Sequence, residues 1–264
     1  MAISELAIED VGTLVAAVKV MILGHRSQLW FRGHSDSAFK LSPSAIREGY
    51  SLQGERYLAG MFRLRAPSRH KKCPSVRDFA GWLSLMRHYG LPTRLLDWTE
   101  SVLTAAFFAV GYDRRSVGPA HIWVLDPGKL NTLFYPEAGG DPFVFDAKAS
   151  QVRQLVSPVF STNVVDTEKV CAVFGAEVDL RMLMQQAAFT VHGLRAPLEE
   201  TSDAGNFLTK LVIPEGNRRH FANELRYLGV NVAGIFPDLS HLGAGLVADC
   251  EVRRGNKITG SSGT

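Results

Sequence analysis

Leu85-Met86-Arg87-His88-Tyr89-Gly90-Leu91-Pro92-Thr93-Arg94-Leu95-Leu96-Asp97-Trp98-Thr99, read together with Trp30-Phe31-Arg32-Gly33, decides how this chain folds. Arginine, histidine, tyrosine, aspartate and tryptophan crowd into one stretch broken by glycine and proline. Buried charge has to be paired and exposed aromatic surface costs solubility, so the stretch implies side chains that converge on something rather than pack alone. Just upstream, Phe79, Trp82, Leu83, Met86 and Tyr89 fall on one helical face, so a helix delivers the His88-Tyr89-Gly90 corner to a fixed place, and Pro92 ends it. Downstream, Asp97-Trp98-Thr99 reads as a turn, after which Thr99 caps a helix over 103–110.

Around that stretch the pattern is mixed. Val11, Leu14, Val15, Val18 and Ile22 recur at three and four residues, which predicts an amphipathic helix over 8–23 that stops near Gly24. Residues 28–32 read as a short strand stopped by Gly33, 37–43 as extended chain, and 55–65 as a helix with a basic side. Further strands are expected at 121–125, 170–174, 189–191 and 208–213, and a helix at 218–228. Prolines and glycines make 131–162 read as a long irregular insertion with a short element at 152–156. Residues 243–248 read as a small-residue helix, with Asp238 near its N-terminus. No repeat or linker divides the chain. The expectation is one α+β domain over 1–254, a central mixed and antiparallel sheet flanked by helices, and a disordered tail over 255–264.

At 264 residues with an ordinary apolar share, the chain can bury a substantial core without staples. Its net charge of +3 is far from the dense cationic stripe of a dedicated DNA-binding domain. Positive charge does concentrate over 63–72, in Arg63, Arg65, Arg69, Lys71 and Lys72 with His70 among them. Such a run is ordinarily a solvated face, and partner binding is its other reading. Cys73, Cys171 and Cys250 are widely spaced with no Cys-x-x-Cys, which suits a reducing compartment, the cytoplasm by default, and excludes a zinc knuckle. Lys19 interrupts the apolar stretch behind Glu5, Glu9 and Asp10, so neither a signal peptide nor a membrane span is readable. His-Glu-x-x-His, Gly-x-x-x-x-Gly-Lys and Gly-x-Ser-x-Gly are absent, which argues against common zinc peptidases, P-loop nucleotidases and hydrolase elbows; no metal is expected.

Several residues invite a chemical reading. Arg32 ends a strand beside Gly33, an arrangement that aims a guanidinium at a phosphate or carboxylate, or pairs it with Asp97. Thr93 and Thr99 offer hydroxyls, Trp98 a flat surface for stacking, and Arg94 and Asp97, three apart, either face a ligand or form a salt bridge. His88 and Tyr89 read as an acid/base and a stacking pair, or as a cap at a helix end. His192 lies near enough in sequence to Phe189-Thr190 to approach the same cleft.

Phe31-Arg32-Gly33-His34, Phe39-Lys40-Leu41-Ser42-Pro43-Ser44, the run from His88 to Thr99, and Ala105-Ala106-Phe107-Phe108-Ala109 together resemble the FRG-domain family. Arg181, Gln185-Gln186, Phe189-Thr190 and Ile235-Phe236-Pro237-Asp238-Leu239 extend the resemblance. Val102 stands where the family pattern has proline, and Ala187 where it has glycine. The order of elements is also similar to that of ADP-ribosyltransferases. That resemblance implies NAD as cofactor, with Arg32 and Gly33 holding the dinucleotide, a hydroxyl turn at Thr93 and Thr99 supporting the nicotinamide end, and a carboxylate on a later strand stabilising the ribose cation. Gln185 and Gln186 stand where that carboxylate is wanted, while Glu177, Glu215 and Glu224 lie elsewhere. A glutamine hydrogen-bonds a ribose hydroxyl without supplying charge. The expected catalytic set is Arg32, His88, Thr93, Asp97 and Gln186; the expected cofactor-binding set is Arg32, Gly33, Tyr89, Arg94, Trp98 and Thr99. Two functions follow as expectations. One is a nucleotide-binding, NAD-consuming toxin or phage-defence effector with a protein or nucleic-acid acceptor. The other is an inert sensing module for a phosphorylated ligand, nucleic acid or protein partner, with no membrane involved in either.

Overall fold

A computed structural model describes the chain except residues 25–27, 112–116, 140–142, 175–179, 240, 244, 248–249 and 251–264. The tail expected over 255–264, and Glu177, lie outside the described residues. Eight strands run in chain order: β1 (Ser4–Ala7), β2 (Trp30–His34), β3 (Leu95–Thr99), β4 (Ala120–Leu125), β5 (Phe145–Asp146), β6 (Val170–Phe174), β7 (Ala187–His192) and β8 (Leu208–Ile213). The helices are α1 (Val11–Leu23), α2 (Ser44–Arg47), α3 (Leu52–Arg65), α4 (Phe79–His88), α5 (Val102–Ala106), α6 (Pro127–Phe134), α7 (Ser150–Phe160), α8 (Leu180–Met184), α9 (Arg218–Tyr227) and α10 (Val232–Ile235). A π-helical turn, Phe107–Gly111, continues α5.

The strands form one mixed sheet in the order β1-β8-β4-β2-β3-β7-β6-β5. Only β1 with β8 and β5 with β6 are parallel; every other neighbour is antiparallel. The chain is thus an α+β fold around a central sheet. Val11, Leu14 and Val18 of α1 and Phe221 and Leu225 of α9 pack on Phe31, Ile122, Val124, Leu211 and Ile213. Leu83 and Met86 of α4, with Val152, Leu155 and Val156 of α7, cover Leu95, Val173, Phe189 and Val191. Trp30, Leu96, Trp98, Trp123 and Leu208 make a third cluster.

The decisive junction lies in the middle of the sheet. β2 pairs with β4 over five residues and β3 with β7 over five, yet β2 and β3 meet only at Phe31 and Thr99. Two four-stranded halves are therefore joined by one residue pair and by whatever side chains cross beyond it.

Two expectations change, and one strand is new. Asp97-Trp98-Thr99 is the end of a strand rather than a turn, because residues 95–99 find cover on both faces and a full ladder on β7. Residues 131–162 are not an irregular insertion. Pro127 sits in the first turn of α6, where its missing N–H costs nothing, and the Asp126 carboxylate accepts from Lys129 N at 3.0 Å. Val152, Leu155, Val156 and Val159 then give α7 a buried stripe that carries it through Pro158. Edge strand β1 was not legible, since all four of its residues are exposed and only its ladder on β8 defines it.

Gly33 marks where α5 and the π-helical turn cross β2. A Cβ there would overlap the Ala105 carbonyl oxygen and lie 2.6 Å from Ala109 N, both backbone atoms that cannot rotate away. Gly33→Ala is expected to cost about 1–3 kcal/mol by overpacking. A urea midpoint equal to that of the wild type would refute this close approach.

Candidate functional site

Where β2 and β3 part, a cavity of about 500 Å³ opens, lined by both strands, α4, β7 and the segment around Phe39. At its floor Arg32 reaches across the split. Its Nη1 donates to the Asp97 carbonyl oxygen at 2.7 Å and lies 3.9 Å from Asp97 Oδ2, while Nε donates to His34 Nε2 at 3.0 Å. From α4, Arg87 Nε donates to both carboxylate oxygens of Asp97, at 3.2 and 3.1 Å, and its Nη2 donates to Oδ2. One carboxylate thus faces two guanidiniums, and the trio carries a net positive charge. Arg32 and Asp97 keep 19% and 35% of their side-chain surface, enough for a ligand to touch them.

The electrostatics follow from this geometry. Burial works to raise the Asp97 carboxyl, but Arg87 and then Arg32 outweigh it and hold it below the usual carboxylate range. Burial drives the Arg32 guanidinium down to about 10, only partly countered by Asp97, so it stays charged at neutral pH while lacking full compensation. His34 is pushed well below its ordinary value, first by burial and then by Arg32. Its ring is neutral, with the Nε2 lone pair turned to Arg32.

Phe39, Trp98, Phe108 and Phe189 supply aromatic wall around this polar floor, and Gln185 adds an amide. Thr99 Oγ1 donates to the Gln185 carbonyl at 2.6 Å and accepts from Ser101 N at 3.1 Å, tying β3 to the approach of β7. The helix cap expected of Thr99 belongs instead to Ser101, whose Oγ accepts from Thr104 N. Gly90, at φ 79°, turns the chain out of α4, a conformation that favours glycine. Gln186 takes the left-handed conformation, φ 46°, immediately before Ala187, where the family pattern puts glycine.

Residues 27–117 match the family model described as the FRG domain. This segment is an FRG domain. It holds Arg32, His34, Arg87 and Asp97, whereas Gln185, Ala187 and Phe189 join the cavity from beyond the matched span. No curated protein and no solved structure matches the chain.

The FRG domain brings Arg32, Gly33, His88, Asp97, Trp98 and Thr99 to one cavity. Thr93, Arg94, Tyr89 and Gln186 do not line it. Arg94 is buried and points away: it pairs with Glu55 through Nε and Nη2 at 3.0 and 3.1 Å, with Asp166 through Nη1 and Nη2 at 2.9 and 3.1 Å, and donates to the Leu155 carbonyl at 2.7 Å. It therefore makes no salt bridge with Asp97; strand alternation puts residues three apart on opposite faces. Thr93 is buried beside Ser44, whose hydroxyl accepts from its N–H. Tyr89 projects outward, its hydroxyl 3.3 Å from His70 Nδ1, and Gln186 is exposed. His192 is enclosed too: Trp98 Nε1 donates to Thr190 Oγ1, whose hydroxyl meets His192 Nε2 at 2.8 Å.

Arg87 and His34 were missed. Position 34 follows 32 on a strand, so period two puts both on one face. Position 87 lies one turn after Ser84 on α4, beside the covered face of Leu83 and Met86.

Arg94→Ala strands the buried Glu55 and the partly exposed Asp166 with Arg195 alone, so about 3–5 kcal/mol of stability is expected to go. Arg87→Ala, at a half-exposed pair, is expected to cost about 1–2 kcal/mol. Urea melts of both variants check the order, and equal costs would contradict the separation of frame from site. His34 and His192 are neutral when folded, with His192 held by burial at about 3. The unfolded chain binds those protons near pH 6.5, so stability is full above that pH and falls as pH drops toward 3. A loss of about 2 kcal/mol by pH 5 follows for His192, with His34 adding to it in the same direction, and a flat urea midpoint from pH 7.5 to 5 would contradict it.

Proposed function

We propose that the FRG-domain cavity binds a nucleotide-like ligand, its phosphate against Arg32 and Arg87 and its ring against the aromatic wall. The observation that carries this reading is the surplus of charge at the floor: two guanidiniums share one carboxylate. An anion arriving there completes the compensation that burial denies Arg32. The volume, about 500 Å³, lies in the range of small-molecule sites.

Recognition is favoured over NAD cleavage. Among the described lining residues Asp97 is the only carboxylate, and both of its oxygens are already engaged by Arg87. A carboxylate neutralised in this way gives little to a ribose cation, and Gln185, the amide at the cavity, carries no charge. The reading is therefore a sensing module for a phosphorylated ligand.

AMP, ADP, ADP-ribose and NAD are screened by thermal shift, with nicotinamide release followed in the NAD sample. A ligand at a hundredfold excess over its Kd adds about 2.7 kcal/mol, a rise of several degrees. At least one of the four is expected to give that rise, Arg32→Ala to abolish it, and NAD to remain intact. No shift with any of them overturns nucleotide binding; nicotinamide release that Asp97→Asn abolishes transfers the case to the enzyme.

A further inference from the structure

Positive charge in this chain is segregated. From Arg56 to Arg77 there are seven lysines and arginines and no aspartate or glutamate, so the remainder of a chain of net charge +3 is net negative. Two of the seven are committed inward. Arg56 donates to the Pro158 and Ser161 carbonyls at 2.7 and 3.0 Å, and Arg63 lies over Phe79, Trp82 and Phe160 while donating to the Val76 carbonyl. The other five, Arg65, Arg69, Lys71, Lys72 and Arg77, are exposed, and among the described residues none has a carboxylate within ion-pair distance. Arg69 donates to the Arg65 carbonyl and to Ser68 Oγ, which fixes the turn that displays them. The first acid after the run, Asp78, is occupied in capping α4 through Gly81 N at 2.9 Å.

Like charges held together without local counterions repel each other, and a polyanion relieves that repulsion while releasing its own condensed counterions. The chemistry at one end of the run selects which polyanion. Tyr89 is half exposed, with His70 edge-on at 5.9 Å and His88 edge-on at 4.9 Å, so its ring is held in place as a stacking surface for a base. His88 and Gly90 then lead into the cavity rim. Leu64 and Val76, the exposed aliphatic side chains of this face, are too little apolar surface to anchor it on a bilayer.

We propose that the surface from Arg65 through Lys71 and Lys72 to Tyr89 holds single-stranded nucleic acid, its backbone on the cations and a base on Tyr89, running past the mouth of the cavity. The inference rests on the charge and exposure of this rim and does not require the cavity to bind a nucleotide.

Fluorescence anisotropy with fluorescein-labelled 12-nucleotide oligothymidylate and oligouridylate tests it on the full chain. Binding is expected at 50 mM NaCl, weakening about 20-fold at 200 mM if three phosphates are neutralised. Lys71→Glu with Lys72→Glu is expected to weaken binding at least tenfold, and Tyr89→Ala several-fold with the salt slope unchanged; all three side chains are exposed, so the fold should survive, which circular dichroism checks. Arg32→Ala is expected to leave oligonucleotide affinity intact, and the lysine double variant to leave any nucleotide thermal shift intact, so the two proposals fail separately. Absence of binding at 50 mM NaCl, equal binding by the double variant, or capture by phosphatidylserine vesicles without oligonucleotide binding overturns the inference.

Discussion

Between β2 and β3 the backbone ladder holds at a single pair, Phe31 with Thr99, and beyond it the two halves of the sheet are joined by side chains meeting at Asp97. Arg32 donates to the Asp97 carbonyl that the parted strands leave without a ladder partner, and Arg87 clasps its carboxylate from α4. A sheet that parts in its middle has to satisfy the backbone groups it exposes, and here charged side chains do so. The same residues that close the seam line the cavity, which makes support of the fold and reach toward a ligand properties of one cluster.

Two arginines of the same chain show how surroundings separate roles. Arg94 meets two carboxylates and a carbonyl in the dry space under α3 and α7, leaving its charge fully matched and out of contact with solvent. Arg32 meets one shared carboxylate, one carbonyl and a neutral imidazole, at the edge of an open volume. Both are guanidiniums beside acids, one buried and one partly open, and only the second has coordination to spare. Burial of a matched ion pair holds a frame together; incomplete compensation beside a cavity invites an anion.

Much of the sheet was readable from pattern. Residues 170–174 and 208–213 stand in the structure with the bounds that apolar runs and turn residues suggested, and α9 begins at Arg218. The site was half readable. Arg32, Gly33, His88, Asp97, Trp98 and Thr99 converge, while Thr93 and Arg94, just before β3, are drawn away from the cavity by Ser44 and by Glu55 and Asp166. The partner of Arg94 was not readable: Glu55 lies 39 residues upstream, beyond any local signal.

The amino-acid order by itself determined the class of fold, the strands with strong apolar patterning and the concentration of charge over 63–72, because all of these depend on residues near one another in the chain. Only tertiary structure decided that β2 and β3 part after one pair, that Arg87 rather than Arg94 holds Asp97, and that Gln185 reaches the cavity while Gln186 does not. Those outcomes are set by long-range packing of α4, β3 and β7, where the pairing of buried charge and backbone groups is settled among residues ten to ninety positions apart, and no periodicity in the sequence records which of them will meet.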